Sequence, residues 1–295
     1  MPPRARLGRG WHLRPLLEVD RASLAAYAAG AGLHWHEDPM NLELRFDRGW
    51  LRSRVLPAIR ERWPAAAATA ARSSRHFAQA SRLLAELAAA DALGAMDDGR
   101  LSVEALGRLS RDRQVNLLRW WLAQQGFKAP PAARLDAGLT AFHAARPDAA
   151  PALRWDAGEI RRYRGRLYAI AALPPARTSL EPLRDAFELL GDGLGKFGLV
   201  AGESGGIRAP LGADASIRFR VGGESLRPHL GRPRKRLKDL CQEAGIVPWM
   251  RDRLPLVYVG ERLAAVGDLW IDADFAAATG APALKPVWES RPRIF

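Results

Sequence analysis

The hydrophobic pattern of this 295-residue chain changes from helical to alternating period near its middle, and that change restricts it to a mixed architecture. Asp20 is placed as the N-cap of a helix over residues 21–29, with Leu24 and Tyr27 on one face and Gly30 ending it. From about Glu43 to Trp63 a stripe of Leu44, Leu51, Val55 and Ile59 predicts a second helical stretch, kinked at Pro57. An alanine-rich helix follows over about 65–93, with Phe77, Leu84 and Leu87 as its expected core stripe. Ser110 caps the segment RDRQVNLLRWWLAQQG, whose Val115, Leu118, Trp121 and Leu122 are expected to face inward, and a shorter helix covers about 133–144. Then the period becomes two. EIRRYRGRLYAIAAL carries strand formers on both sides of Arg164-Gly165 and predicts a β-hairpin.

LPPARTSLEP, residues 173–182, is proline-rich and aperiodic, and is the strongest candidate for a domain boundary. Beyond it lie short glycine-punctuated strands, a basic helix from about Arg232 to Ala244, and a hairpin turning at Gly260-Glu261. The expected fold class is therefore a mostly α first part followed by a small α+β C-terminal domain.

No apolar run reaches the roughly 18 residues of a membrane span, and the basic N-terminus lacks a secretory core, so the chain reads as cytoplasmic. The single cysteine, Cys241, rules out an internal disulfide framework and is expected to be a buried, inert thiol. Lys and Arg number 45 against 32 Asp and Glu, a net charge of +13 carried mostly by arginine. Such an excess favours a polyanionic partner, because guanidinium groups bind phosphate bidentately and stack on bases.

Candidate chemistry is sparse. His34 and His36, followed by Glu37 and Asp38, have a spacing that invites a metal, but the other four histidines show no matching pair and a structural site needs about four ligands in a defined geometry, so no metal site is assigned. ESGGIRAP, residues 203–210, has the glycines of a phosphate-cradling loop but lacks the Lys-Ser/Thr of a Walker loop and opens no helix, so it reads as a turn. HExxH does not occur, and no catalytic residue is assigned.

Two basic regions remain. In RFDRGWLRSRVLPAIRERW, Arg45, Arg48 and Arg52 stand at three- and four-residue spacings, hence on one helical face. Between Arg227 and Arg253 there are eight Lys/Arg against three Asp/Glu, among them Arg232, Arg234, Lys235, Arg236, Lys238 and Arg251. A solvated helical face is the bland alternative; mutual repulsion of clustered like charges favours phosphate between them.

Three longer segments resemble the tRNA(Ile)-lysidine synthetase family. LRPLLEVDRASLAAYAAGAGLHWHEDPMN followed by RFDRGWLRSRVLPAIRERWP resembles its RPLL segment, W-x-E-D-x-S-N loop and L-R-x-x-V-x-P motif. EIRRYRGRLYAI is similar to its middle hairpin, and GRPRKRLKDLCQEAGIVPWMRDRLPLVYVGERLAAVGDLWI to its C-terminal domain. The resemblance implies ATP-dependent ligation of lysine to C2 of cytidine 34, in an isoleucine tRNA with a CAU anticodon. ATP and Mg2+ would be cofactors of the full-length enzyme, with a homodimer left open.

It also implies three parts. They are a C-terminal remnant of a PP-loop ATPase domain (1–62), a helical tRNA-binding domain ending in a hairpin (63–173) and an α+β tRNA-recognition domain (183–295). Carried over by position, Asp38 and Asn41 belong to the loop motif. Arg48, Arg52, Arg232, Arg234, Lys235, Arg236, Lys238 and Arg251 are candidate tRNA contacts, and Asp252 is expected to orient Arg251 or cap a turn. Met40 and Gly49 stand where the family has Ser and Asn, and SGGIRA lacks the Asp-Ser of the family's S-G-G-x-D-S loop. A truncated or mis-started product is therefore expected, without an ATP site and inactive alone. The alternatives are a non-catalytic RNA-binding module or an inactive remnant.

Overall fold

Asp20 starts the first helix as expected: its Oδ1 accepts from the Ser23 amide at 2.7 Å, filling one of the orphan donors of the first turn. The structure is a computed structural model and describes residues 3–36, 43–146, 149–173, 181–182, 187–191, 193–203, 205–212 and 214–295. The chain forms two compact units, residues 1–94 and 95–295.

The first unit begins with an antiparallel pair, β1 (Arg4–Leu7) and β2 (Gly10–Leu13). Helix α1 (Arg21–Gly30) follows, then α2 (Asp47–Trp50), a π-helical turn (Leu51–Val55), α3 (Leu56–Arg62) and α4 (Ala66–Ala95). The expected kink is a π-turn ending just before Pro57, whose ring would collide with the Ser53 carbonyl in a regular helix. The helix begins at Asp47 rather than Glu43, so Arg45 lies outside it and pairs with Glu43 instead of sharing a face with Arg48 and Arg52. The stripe expected to be core on α4 is not buried: Phe77, Leu84 and Leu87 are 75%, 50% and 37% exposed. Periodicity marks an apolar face, but a face becomes core only where another element covers it.

In the second unit β3 (Met96–Asp97) and β4 (Arg100–Ser102) lead into α5 (Val103–Gly107), α6 (Arg111–Gln124) and α7 (Ala132–Ala144). Then come β5 (Ala152–Trp155), β6 (Gly158–Tyr163) and β7 (Arg166–Ile170). The five strands form one sheet in the order β3-β4-β7-β6-β5. Arg164 and Gly165, at φ 47° and 72°, make the tight turn between β6 and β7. On α6 the buried residues are Gln114, Leu117, Leu118, Trp121 and Leu122, so Leu117 replaces the expected Val115. Ser110 occupies the N-cap position, but its side chain makes no capping bond.

After the proline-rich stretch, of which only Glu181 and Pro182 (β8) are described, come β9 (Glu188–Leu189), β10 (Lys196–Gly202), β11 (Ile207–Arg208) and β12 (Ala215–Arg218). They are followed by β13 (Ser225–Leu226), β14 (Lys235–Arg236), α8 (Leu237–Glu243) and α9 (Pro248–Arg251). The last strands are β15 (Leu256–Val259), β16 (Arg262–Val266), β17 (Trp270–Ile271) and β18 (Ala283–Glu289). Two sheets, β11-β18-β10-β9 and β17-β16-β15-β12-β8, accompany the short β13-β14 ladder. Phe197, Ile217, Leu237, Cys241, Met250, Leu256 and Trp288 belong to a common core. Tyr163, Tyr168 and Ile170 of the hairpin pack against that same core, so residues on both sides of 173–182 lie in one compact unit. The predicted basic helix is shorter than expected: it starts at Leu237, and Lys235 and Arg236 are held in β14 by pairing with Leu226 and Ser225.

Candidate nucleic-acid interface

The cationic segment is anchored by a carboxylate. Asp272, just after β17, is fully buried, and its Oδ2 accepts from the Arg227 amide at 3.0 Å and from Arg234 Nη2 at 2.8 Å, while its Oδ1 accepts from the Asp274 amide at 3.0 Å. Asp274 in turn receives Arg227 at 3.2 Å, Arg262 at 2.8 Å and Arg234 at 3.5 Å. Arg234 also donates to the Ser225 carbonyl at 3.1 Å. The two aspartates and three arginines thus tie the stretch before α8 to the end of the sheet, and they neutralise much of its charge internally.

This sorts the sequence candidates. Arg234 is held by the aspartates, Lys235 by Glu243 at 3.0 Å, and Arg251 by the Ile246 carbonyl at 3.0 Å and the Tyr163 hydroxyl at 3.1 Å. Arg232, Arg236 and Lys238 are exposed, and among the described residues no carboxylate pairs with their side chains. Arg48 and Arg52 are likewise exposed in the first unit, on α2 and the π-turn. Asp38 and Asn41 lie outside the described residues. Asp252 does not orient Arg251; it pairs with Arg220 at 2.9 Å and ends α9.

Beneath the basic stretch, α8 turns Leu237, Leu240 and Cys241 inward. Burial pushes the Cys241 thiol up to about 11, so it stays protonated and unreactive near neutrality. On α9, the Trp249 ring meets Tyr168 edge-on at 5.2 Å and Tyr163 at 6.4 Å, and Arg164 at the hairpin tip donates to the Gln242 carbonyl at 2.6 Å. These contacts fix the hairpin against the basic segment.

The glycines of ESGGIRAP serve packing. Gly205 has φ +70°, and a Cβ on Gly206 would lie 2.6 Å from the Leu284 carbonyl, so the turn lets β11 approach β18. His34 and His36 are exposed, and Glu37 and Asp38 lie outside the described residues. Asp272 and Asp274 escaped sequence reasoning; their only signal was an Asp-x-Asp directly after an apolar pair, which reads as a strand end.

Three family models match the chain: a PP-loop domain over residues 1–59, the TilS substrate binding domain over 101–168, and the TilS substrate C-terminal domain over 215–288. The tRNA(Ile)-lysidine synthase of Methylococcus capsulatus is 38% identical over 288 residues, covering 94% of this chain and 65% of that protein. That of Coxiella burnetii is 39% identical over 285 residues, covering 94% and 62%. That of Pseudomonas aeruginosa is 39% identical over 283 residues, covering 91% and 61%. The chain thus spans a little under two thirds of the length of these curated relatives. A solved TilS C-terminal domain is 22% identical with a TM-score of 0.28, covering 38% of this chain and 91% of that one, and is too distant overall to argue from. Along nearly its whole length, in an order that runs from the PP-loop match to the C-terminal domain, the chain is similar to tRNA(Ile)-lysidine synthases.

Proposed function

We propose that the chain serves lysidine formation on tRNA(Ile) and that its second unit holds the tRNA. The observation that carries this reading is the division of the basic segment. Arg227, Arg234 and Arg262 are consumed by Asp272 and Asp274, which stiffens the segment, and Arg232, Arg236 and Lys238 are left at the surface without described carboxylates. Fixed, unpaired cations on an ordered support suit a folded polyanion, whose condensed counterions they displace. Arg48 and Arg52 are proposed as a second set of phosphate contacts, on the segment matched to the PP-loop domain.

That match supports ATP, with Mg2+, as the source of activation. In the proposed reaction the C2 oxygen of cytidine 34 in the CAU anticodon takes up AMP from ATP, releasing pyrophosphate. The lysine amine then forms the new C–N bond at C2 as AMP departs and the amine proton is lost to solvent. No S-G-G-x-D-S loop occurs in these 295 residues, so this polypeptide by itself is proposed to bind no ATP; saturable micromolar binding of ATP-Mg in calorimetry would contradict that.

The RNA reading is tested by gel-shift titration of this chain with an in-vitro transcribed tRNA(Ile) against a DNA duplex of equal charge. Tighter binding of the tRNA is expected. Equal affinity for both would reduce the basic segment to a non-specific polyanion surface.

A further inference from the structure

A cavity of about 410 Å³ lies within the second unit. It is bordered by the turn before β4, the end of β7, α9 and the residues after β18, and its lining divides by chemistry. Ile170, Trp249 and Met250 are apolar; Arg100, Gln125 and Arg293 bring polar groups. Arg100 is already committed, donating to the Asp98 carboxylate at 2.9 Å and to the Phe295 main-chain oxygen at 2.8 Å, with its guanidinium 5.2 Å from the centre of the Tyr168 ring.

Arg293 differs. It donates to the neutral Asp98 carbonyl at 2.9 Å and meets no carboxylate among the described residues. Gln125 gives one amide hydrogen to the Gly99 carbonyl at 3.3 Å, and no described donor reaches its amide oxygen. Gly99, at φ +75°, lets both approach: an added Cβ would lie 3.1 Å from Arg293 Nη1 and 3.3 Å from Gln125 Nε2. Burial pushes the Tyr168 phenol above its ordinary range, which keeps it a hydroxyl at neutral pH.

We propose that this cavity receives one unpaired nucleotide of the bound RNA, with its base against Ile170, Trp249 and Met250 and its phosphate at Arg293. A wholly apolar slot would accept any aliphatic side chain. A slot that ends in an unneutralised guanidinium and a half-used amide selects a planar heterocycle bearing an anion. Its volume falls within the range of small-ligand sites. The proposal rests on the tRNA reading above and adds to it a base-sized receptor whose lining does not include the exposed cations of the basic segment.

The test is ultraviolet crosslinking of a tRNA(Ile) transcript containing 4-thiouridine, paired with affinity measurements. Crosslinks to residues 168–172 or 249–250 are expected in the parent and lost in Ala172→Trp, which fills the cavity from an exposed position. That variant should bind tRNA about tenfold more weakly, the order of one stacked base. Arg293→Gln, on an exposed residue, should weaken binding about fivefold, and Arg293→Lys should restore most of it. Should Ala172→Trp melt early, the Arg293 pair decides the outcome. Parental affinity in both Ala172→Trp and Arg293→Gln, with crosslinks absent from these residues, overturns the pocket and leaves the RNA reading standing. A parent chain that ignores tRNA in dilute buffer overturns both.

Discussion

Replacing Asp272 by alanine removes a carboxylate that is wholly withdrawn from solvent beneath the basic segment. The change leaves the Arg227 and Asp274 amides and one edge of Arg234 without their acceptor. Breaking a buried ion pair from one side costs about 3–5 kcal/mol. Two features favour the low end here: the Arg234 side chain is 33% exposed, and Asp274 remains 3.5 Å away as a second partner. About 3 kcal/mol in a unit of about 200 residues lowers the melting temperature by roughly 6–12 °C.

The assay is thermal unfolding followed by circular dichroism, run with Asp272→Ala, Arg234→Ala and the double variant. A structural pair predicts that both single variants melt early and that the double falls well short of their sum, a coupling of about 1–2 kcal/mol. An Asp272→Ala variant melting within about 2 °C of the parent would refute the anchoring argument. So would an Arg234→Ala variant of full stability that had lost RNA affinity, since Arg234 would then be a phosphate ligand.

Arg251→Ala removes a guanidinium bound to the Ile246 carbonyl and the Tyr163 hydroxyl, and should cost about 1.5–3 kcal/mol of stability while leaving the salt dependence of RNA binding unchanged. A parental melting curve with a shallower salt slope would reverse that assignment. Gly195→Ala should prevent β10 from closing on β18, because its Cβ would fall 2.1 Å from the Glu289 carbonyl at φ +75°; Gly205→Ala, at φ +70° in open space, should cost only about 1 kcal/mol. Comparable soluble yields and melting curves for the two would contradict this. Cys241 has its folded-state value raised from 9.0 to about 11, so the stability it contributes is complete below pH 9 and lost as pH climbs through about 11. Cys241→Ala should flatten that decline in urea unfolding followed from pH 8 to 11, and an unchanged slope would show that the thiol is not the titrating group.

Much of this was legible in the sequence because local signals dominate where they are strong. The Asp20 cap, the Arg164-Gly165 and Gly260-Glu261 turns, and the inward face of α8 all follow from side-chain chemistry within a few residues. What periodicity could not supply was the partner. Phe77, Leu84 and Leu87 form a helical stripe yet stand exposed, because amphipathic spacing does not reveal whether a surface is covered. Arg234, Lys235 and Arg251 look like RNA ligands in a basic run, but the acids that occupy them lie 38 residues away at Asp272 and 8 away at Glu243, and the hydroxyl that meets Arg251 is 88 residues back at Tyr163. Side-chain pairing over such separations is set by the fold, so the sequence identified a basic region and left open which of its cations were free.

Arg232, Arg236 and Lys238 are proposed to face phosphate. That proposal is tested most directly by measuring tRNA affinity across a series of salt concentrations for the parent and for the combined Arg232→Gln, Arg236→Gln and Lys238→Gln variant. Weaker binding, unchanged melting, and a log–log salt slope shallower by roughly 2–3 are expected in the variant, one counterion for each lost phosphate contact. Superimposable salt dependences for the two proteins would contradict it.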